Sequence, residues 1–136
     1  MEISKITYTG DLRTEAVHIL SGKTIVTDAP KDNQGKGEAF SPTDLLATSL
    51  GCCAVTIMGI SARNHSIGLG KVEMVIEKHM AANPRRVAKI VVRMNIHGSE
   101  NLTDSQKKVL ENAALTCPVS KSLNPDLIQD FQFEYC

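Results

Sequence analysis

From Leu45 to Ala62 the chain reads LLATSLGCCAVTIMGISA, eighteen residues without a charge. A stretch like this either crosses a bilayer or is enclosed in protein, and its length lies at the lower edge of a membrane span. Thr48, Ser49, Gly51, Thr56, Gly59 and Ser61 dilute its hydrophobicity, and the flanking segments alternate like strands of a soluble sheet. The expectation is a buried core helix. Leu46, Leu50, Cys53, Ile57 and Ile60 recur at helical spacing, while Leu45, Val55 and Met58 place apolar groups on the other sides. One chain of 136 residues has little material to enclose such a helix all round. A second copy is therefore expected to supply the remaining cover.

The elements around this helix carry their own signals. Residues 2–28 read as three short strands, the last two being Arg13 to Leu20 and Lys23 to Asp28, joined at Ser21-Gly22. Residues 29–41, APKDNQGKGEAFS, are polar and glycine-bearing and form a loop, a candidate cover for a site. Ser41 as N-cap, Pro42 at the first helical position and Asp44 in the first turn open the apolar helix. Lys71 to Met80 and Arg86 to His97 form a second hairpin around Asn83-Pro84. In its second strand Ala88, Ile90, Val92, Met94 and Ile96 make a dry face. Thr103 and Gln106 are a capping box for a second helix carrying Val109, Leu110, Ala113 and Ala114, and Cys117-Pro118 ends it. Phe131, Phe133 and Tyr135 alternate in a last strand. The order is βββ-α-ββ-α-β, an α+β chain expected to form one domain over residues 1–136.

Charge narrows the partners. Lys plus Arg and Asp plus Glu are both 15, so no electrostatic case exists for a nucleic acid or an anionic membrane. No signal-like run opens the sequence, and a cytoplasmic location is expected. The four histidines, at 18, 65, 79 and 97, lack metal-ligand spacing, so no metal site is expected. The paired glycines at 35/37 and 68/70 do not follow a strand and open a helix, so no nucleotide cofactor is expected either.

The chemistry then rests on cysteine. The four, at 52, 53, 117 and 136, contain no C-x-x-C and are expected to be thiols. Cys117 precedes a proline that starts a helical turn, a position that favours thiolate. In an apolar helix a charged thiolate is disfavoured, so a reactive Cys53 requires a cation beside it. The plain alternative is that a buried free cysteine is simply a small hydrophobe. Cys52 points about 100° away from Cys53 and is expected to pack at an interface.

Two strings change the balance. SPTDLLATSLGCCAVTI resembles the segment of OsmC/Ohr proteins in which proline, an acidic residue and leucine precede the helix with the reactive cysteine, which falls on Cys53. CPVSKSL resembles the second signature, with Cys117 at its thiol position, and both follow a strand-rich amino terminus as in that family. The resemblance covers essentially the whole chain. It implies an intertwined homodimer with sheets wrapped around central helices. It also implies a thiol peroxidase in which Cys53 attacks an organic hydroperoxide and Cys117 resolves the product as a disulfide, reset by an external dithiol or lipoyl-type reductant. An arginine from the amino-terminal strands, Arg13 here, is implied as the partner of the thiolate. The glutamate that follows the proline in the hydroperoxide resistance branch is replaced by Thr43, so Asp44 or Glu38 is left to pair with Arg13, and the chain resembles the broader OsmC-like branch. Phe40 and Met58 are candidates for an apolar cover. The competing function is a non-catalytic dimer binding a small hydrophobic ligand.

Overall fold

The protein is described by a computed structural model covering all residues, Met1–Cys136. It resolves into two compact units, Met1–Leu46 and Ala47–Cys136, whose boundary falls within one helix.

The first unit is a meander of β1 (Ser4–Gly10), β2 (Arg13–His18) and β3 (Thr24–Asp28), paired antiparallel in that order. The strands end earlier than the sequence pattern suggests. The β2–β3 connection is not a two-residue turn at Ser21-Gly22: it spans residues 19–23, with the Gly22 N–H donating to His18 O at 2.8 Å and Gly22 at φ +71°. The His18 ring meets Ser21 Oγ at 2.6 Å and helps close this longer loop. Residues 29–41 form the expected connection, with a 3₁₀ turn at Lys31–Asn33. The helix start is a reciprocal cap: the Asp44 N–H donates to Ser41 Oγ at 3.1 Å, and the Ser41 N–H donates to Asp44 Oδ2 at 2.9 Å.

The long helix, α1 (Pro42–Asn64), carries the apolar run. Its buried residues are Ala47, Leu50, Gly51, Ala54, Met58 and Ala62, not the line through Leu46, Cys53 and Ile60. The small residues decide which side packs closest. A Cβ added to Gly51 would stand 2.6 Å from Ile76 Cδ1, so the backbone approaches the sheet where it has no side chain. Leu46 and Ile60 remain 39% and 50% exposed. The helix is thus only partly buried by its own chain, short of the enclosed helix its sequence suggests.

In the second unit β4 (Val72–Ala81) pairs antiparallel with β5 (Arg86–Ile96), and β5 pairs parallel with β6 (Ile128–Tyr135). A parallel neighbour needs a crossover, supplied by α2 (Asp104–Leu115) and the single-turn α3 (Pro118–Ser122). The Thr103–Gln106 capping box forms as expected. The dry face of β5 holds Ile90, Val92, Met94 and Ile96, all within 1% of full burial. Farther back the register shifts between His79 and Met80, which puts Val87 on the buried side in place of Ala88. Leu50, Met58, Leu110, Ala114 and Cys117 complete this core.

Candidate active site

The residues singled out from the sequence divide between the two units. In the first, pairing of β2 with β3 sets Arg13 directly opposite Asp28. The Arg13 Nη2 donates to Asp28 Oδ2 at 3.4 Å and also pairs with the Glu38 carboxylate. Glu38 is brought there by its own backbone, whose N–H donates to Asp28 Oδ2 at 2.9 Å. Glu38 thus pairs with Arg13, and the Asp44 carboxylate accepts the Ser41 N–H at the start of α1. Two carboxylates keep the guanidinium charged and raise its pKa, Glu38 contributing first and Asp28 second. The Glu38 N–H, and after it Arg13, hold the Asp28 carboxyl below the usual range, against the opposing effect of burial.

Asp28 is fully buried. Sequence reasoning treated it as an ordinary strand end and missed it. Its signal was the hairpin register, which places a carboxylate across from the one arginine of the meander. Two polar atoms of the pair, Arg13 Nε and Asp28 Oδ1, are buried without a hydrogen-bond partner.

In the second unit Cys117 is completely buried and is the N-cap of α3, its Sγ accepting the Ser120 N–H at 3.5 Å. Cys53, half-buried on α1, packs against the same core, near enough to Cys117 to influence its ionisation. The expectation that Cys117 leans to thiolate is corrected. Burial raises its pKa, and a neighbouring charge on Cys53 raises it further, outweighing the lowering by the Ser120 and Val119 N–H groups. A five-residue helix offers too little dipole to offset desolvation. Cys117 is thus a buried thiol that keeps its proton.

The remaining candidates fall elsewhere. Met58 is fully buried core, and Phe40 is exposed. Cys52 is exposed on α1 in this chain. The histidines are hydrogen-bonded, His18 to Ser21, His65 to the Ser61 carbonyl, His79 to Glu77 and His97 to Glu73. Within the first unit a cavity of about 590 Å³ is lined by Ile3, Ile6, Ala16, Ile25, Pro42 and Leu45, among others.

Comparison with known proteins follows this geometry. The sequence matches the family described as OsmC-like protein over residues 35–128. A crystal structure from Psychrobacter arcticus 273-4, named for an osmotic stress induced and detoxification response, is 51% identical and covers 98% of this chain and 96% of its own, with a TM-score of 0.92. An organic hydroperoxide resistance protein OsmC from Legionella pneumophila is 20% identical, with 99% and 97% coverage and a TM-score of 0.68. One from Elizabethkingia anophelis, also an organic hydroperoxide resistance protein, is 15% identical, with 100% and 98% coverage and a TM-score of 0.77. At these lower identities the likeness shows the shared fold alone. No curated protein matches the sequence. With more than half its length matched and an α+β order shared with its structural neighbours, the chain belongs to the OsmC-like protein family.

Proposed function

We propose that the protein is a cysteine-based peroxidase that reduces organic hydroperoxides in oxidative-stress defence. The observation that carries this reading is the proximity of Cys53 and Cys117, packed against and within the same core of the second unit. Two free thiols sharing one core, one half-exposed and one buried, suit a redox pair better than plain packing.

The Cys53 thiolate attacks one oxygen of the hydroperoxide, the O–O bond breaks, and the alkoxide leaves as an alcohol after taking a proton. Cys53 is then a sulfenic acid. The Cys117 thiol condenses with it, releasing water and forming a disulfide, which an external dithiol of lipoyl type reduces by exchange. Arg13 is assigned as the cation that favours the Cys53 thiolate, on the family resemblance and on the chemical need for a positive charge. Glu38 and Asp28 hold that guanidinium in place. The active form is proposed to be a homodimer, supported by the exposed apolar residues Leu46 and Ile60 of α1.

Consumption of tert-butyl and fatty-acid hydroperoxides, compared with hydrogen peroxide and supported by dihydrolipoyl reductant, tests the proposal. Faster turnover of the organic peroxides is expected; no turnover of any of them would remove it. The second reading, a binding protein for a small hydrophobic ligand, is favoured by the apolar cavity in the first unit. Saturable binding of an apolar fluorophore without peroxide consumption by the reduced protein would support that reading instead.

A further inference from the structure

A second constellation of nucleophile, base and carboxylate lies at one end of the β4-β5-β6 sheet. Parallel pairing of β5 with β6 ends at Ile96 opposite Tyr135, and the Cys136 N–H donates to Ile96 O at 3.0 Å. The next residues on the two strands, His97 and Cys136, are thereby set side by side. Cys136 Sγ lies 3.6 Å from His97 Nδ1, closer than its 3.8 Å contact to Ile96 O. On the far side of the ring His97 Nε2 meets Glu73 Oε2 at 2.9 Å. Glu73 stands on β4 opposite Asn95, two residues before His97, and its other oxygen pairs with Lys71 Nζ at 2.6 Å.

These contacts set which ring nitrogen faces which partner. Lys71 first, and His97 after it, hold the Glu73 carboxyl below its usual range, so it is an ionised acceptor. An ionised carboxylate accepts a hydrogen from Nε2, and in that tautomer Nδ1 carries the lone pair. That lone pair faces the thiol. A thiol beside a base that a third group orients is the arrangement of an activated cysteine. Cys136 and His97 are both accessible. A reaction partner there must bring its own reactivity, as a disulfide does, since exchange needs little beyond an accessible thiolate.

We propose that Cys136 is a second reactive thiol, distinct from Cys53 and Cys117, that takes up low-molecular-weight disulfides by thiol–disulfide exchange with His97 as its base and Glu73 orienting His97. The Sγ proton passes to His97 Nδ1, Sγ bonds to one sulfur of the disulfide, and the S–S bond breaks. The second sulfur leaves as a thiolate that is then protonated. One thiol is oxidised and one thiol equivalent is released, so the exchange balances without a further oxidant.

Cys52 is the internal control. It is exposed as well, but on α1, where its carbonyl accepts from Thr56 Oγ1 and no imidazole meets its thiol. The fully reduced protein is incubated with oxidised glutathione, free thiols are blocked at intervals, and mixed disulfides are mapped by peptide mass spectrometry. Cys136 is expected to form its mixed disulfide about tenfold or more faster than Cys52. His97→Asn should bring Cys136 down to the Cys52 rate while leaving Cys52 unchanged, and added free imidazole should restore part of the loss. Glu73→Gln should slow Cys136 less than His97→Asn does. Equal rates at Cys52 and Cys136 in the wild type overturn the proposal, as does a Cys136 rate indifferent to His97→Asn. Buried Cys117 reports folding throughout. If it becomes labelled in His97→Asn, Glu73→Gln and the wild-type ratio decide the matter alone.

Discussion

The backbone N–H of Glu38 donates to Oδ2 of Asp28 at 2.9 Å, the same oxygen that accepts from Arg13 at 3.4 Å. One buried carboxylate therefore positions both members of an ion pair, the arginine through the strand register and the glutamate through the loop. Removing the Asp28 charge should disturb both. Its folded pKa is depressed, so its contribution to stability is present above the unfolded value of about 3.9 and is lost as pH falls through the folded value. Asp28→Asn should flatten the acid limb of stability below about pH 4, measured as the urea midpoint against pH. An acid limb identical to wild type would show that Asp28 is not the titrating group.

The loop that carries Glu38 has little room. A Cβ at Gly35 would lie 1.6 Å from the Ala29 carbonyl oxygen, and this is backbone that cannot swing aside. Gly35→Ala should displace the segment and weaken the Arg13–Glu38 pair, lowering peroxide turnover much as Glu38→Ala does. A Gly35→Ala protein with wild-type turnover would separate the loop from the chemistry.

Arg13→Ala should slow iodoacetamide alkylation of Cys53 by about tenfold or more at neutral pH, because a thiolate loses its favourable counter-charge. The rate at Cys53 is read by peptide mapping. An unchanged rate would end the assignment.

Light scattering should find a dimer. Leu46 and Ile60 leave α1 incompletely covered by its own chain, and a stable monomer with a cooperative thermal transition would contradict the paired architecture. Leu50→Ala, by contrast, strikes the packed side of α1 and should cost about 2–5 kcal/mol in denaturant unfolding.

Much of this was legible in the sequence because caps and alternation are local. Thr103 and Gln106 announced α2, and Ser41, Pro42 and Asp44 announced α1, through bonds made within one turn. What depends on distant pairing was not. Asp28 joined Arg13 only through strand register, and Cys136 met His97 only because β5 and β6 run parallel and end together. The all-round enclosure expected of α1 is met by its own chain only along Ala47, Leu50, Gly51, Ala54, Met58 and Ala62, where small residues let the backbone pack closely. Cys117 was read from its helix start, and its burial, which governs its proton, became visible only in the packed core.

The central claim is the division of labour between Cys53 and Cys117. One equivalent of an organic hydroperoxide added to the reduced wild-type protein, followed by thiol blocking and peptide mass mapping, tests it most directly. The account predicts a Cys53–Cys117 disulfide in the wild type. It predicts a dimedone-trapped sulfenic acid at Cys53 in Cys117→Ser, and no peroxide consumption by Cys53→Ser. A disulfide joining Cys52 or Cys136 in place of Cys53, or full peroxide consumption by Cys53→Ser, would contradict it.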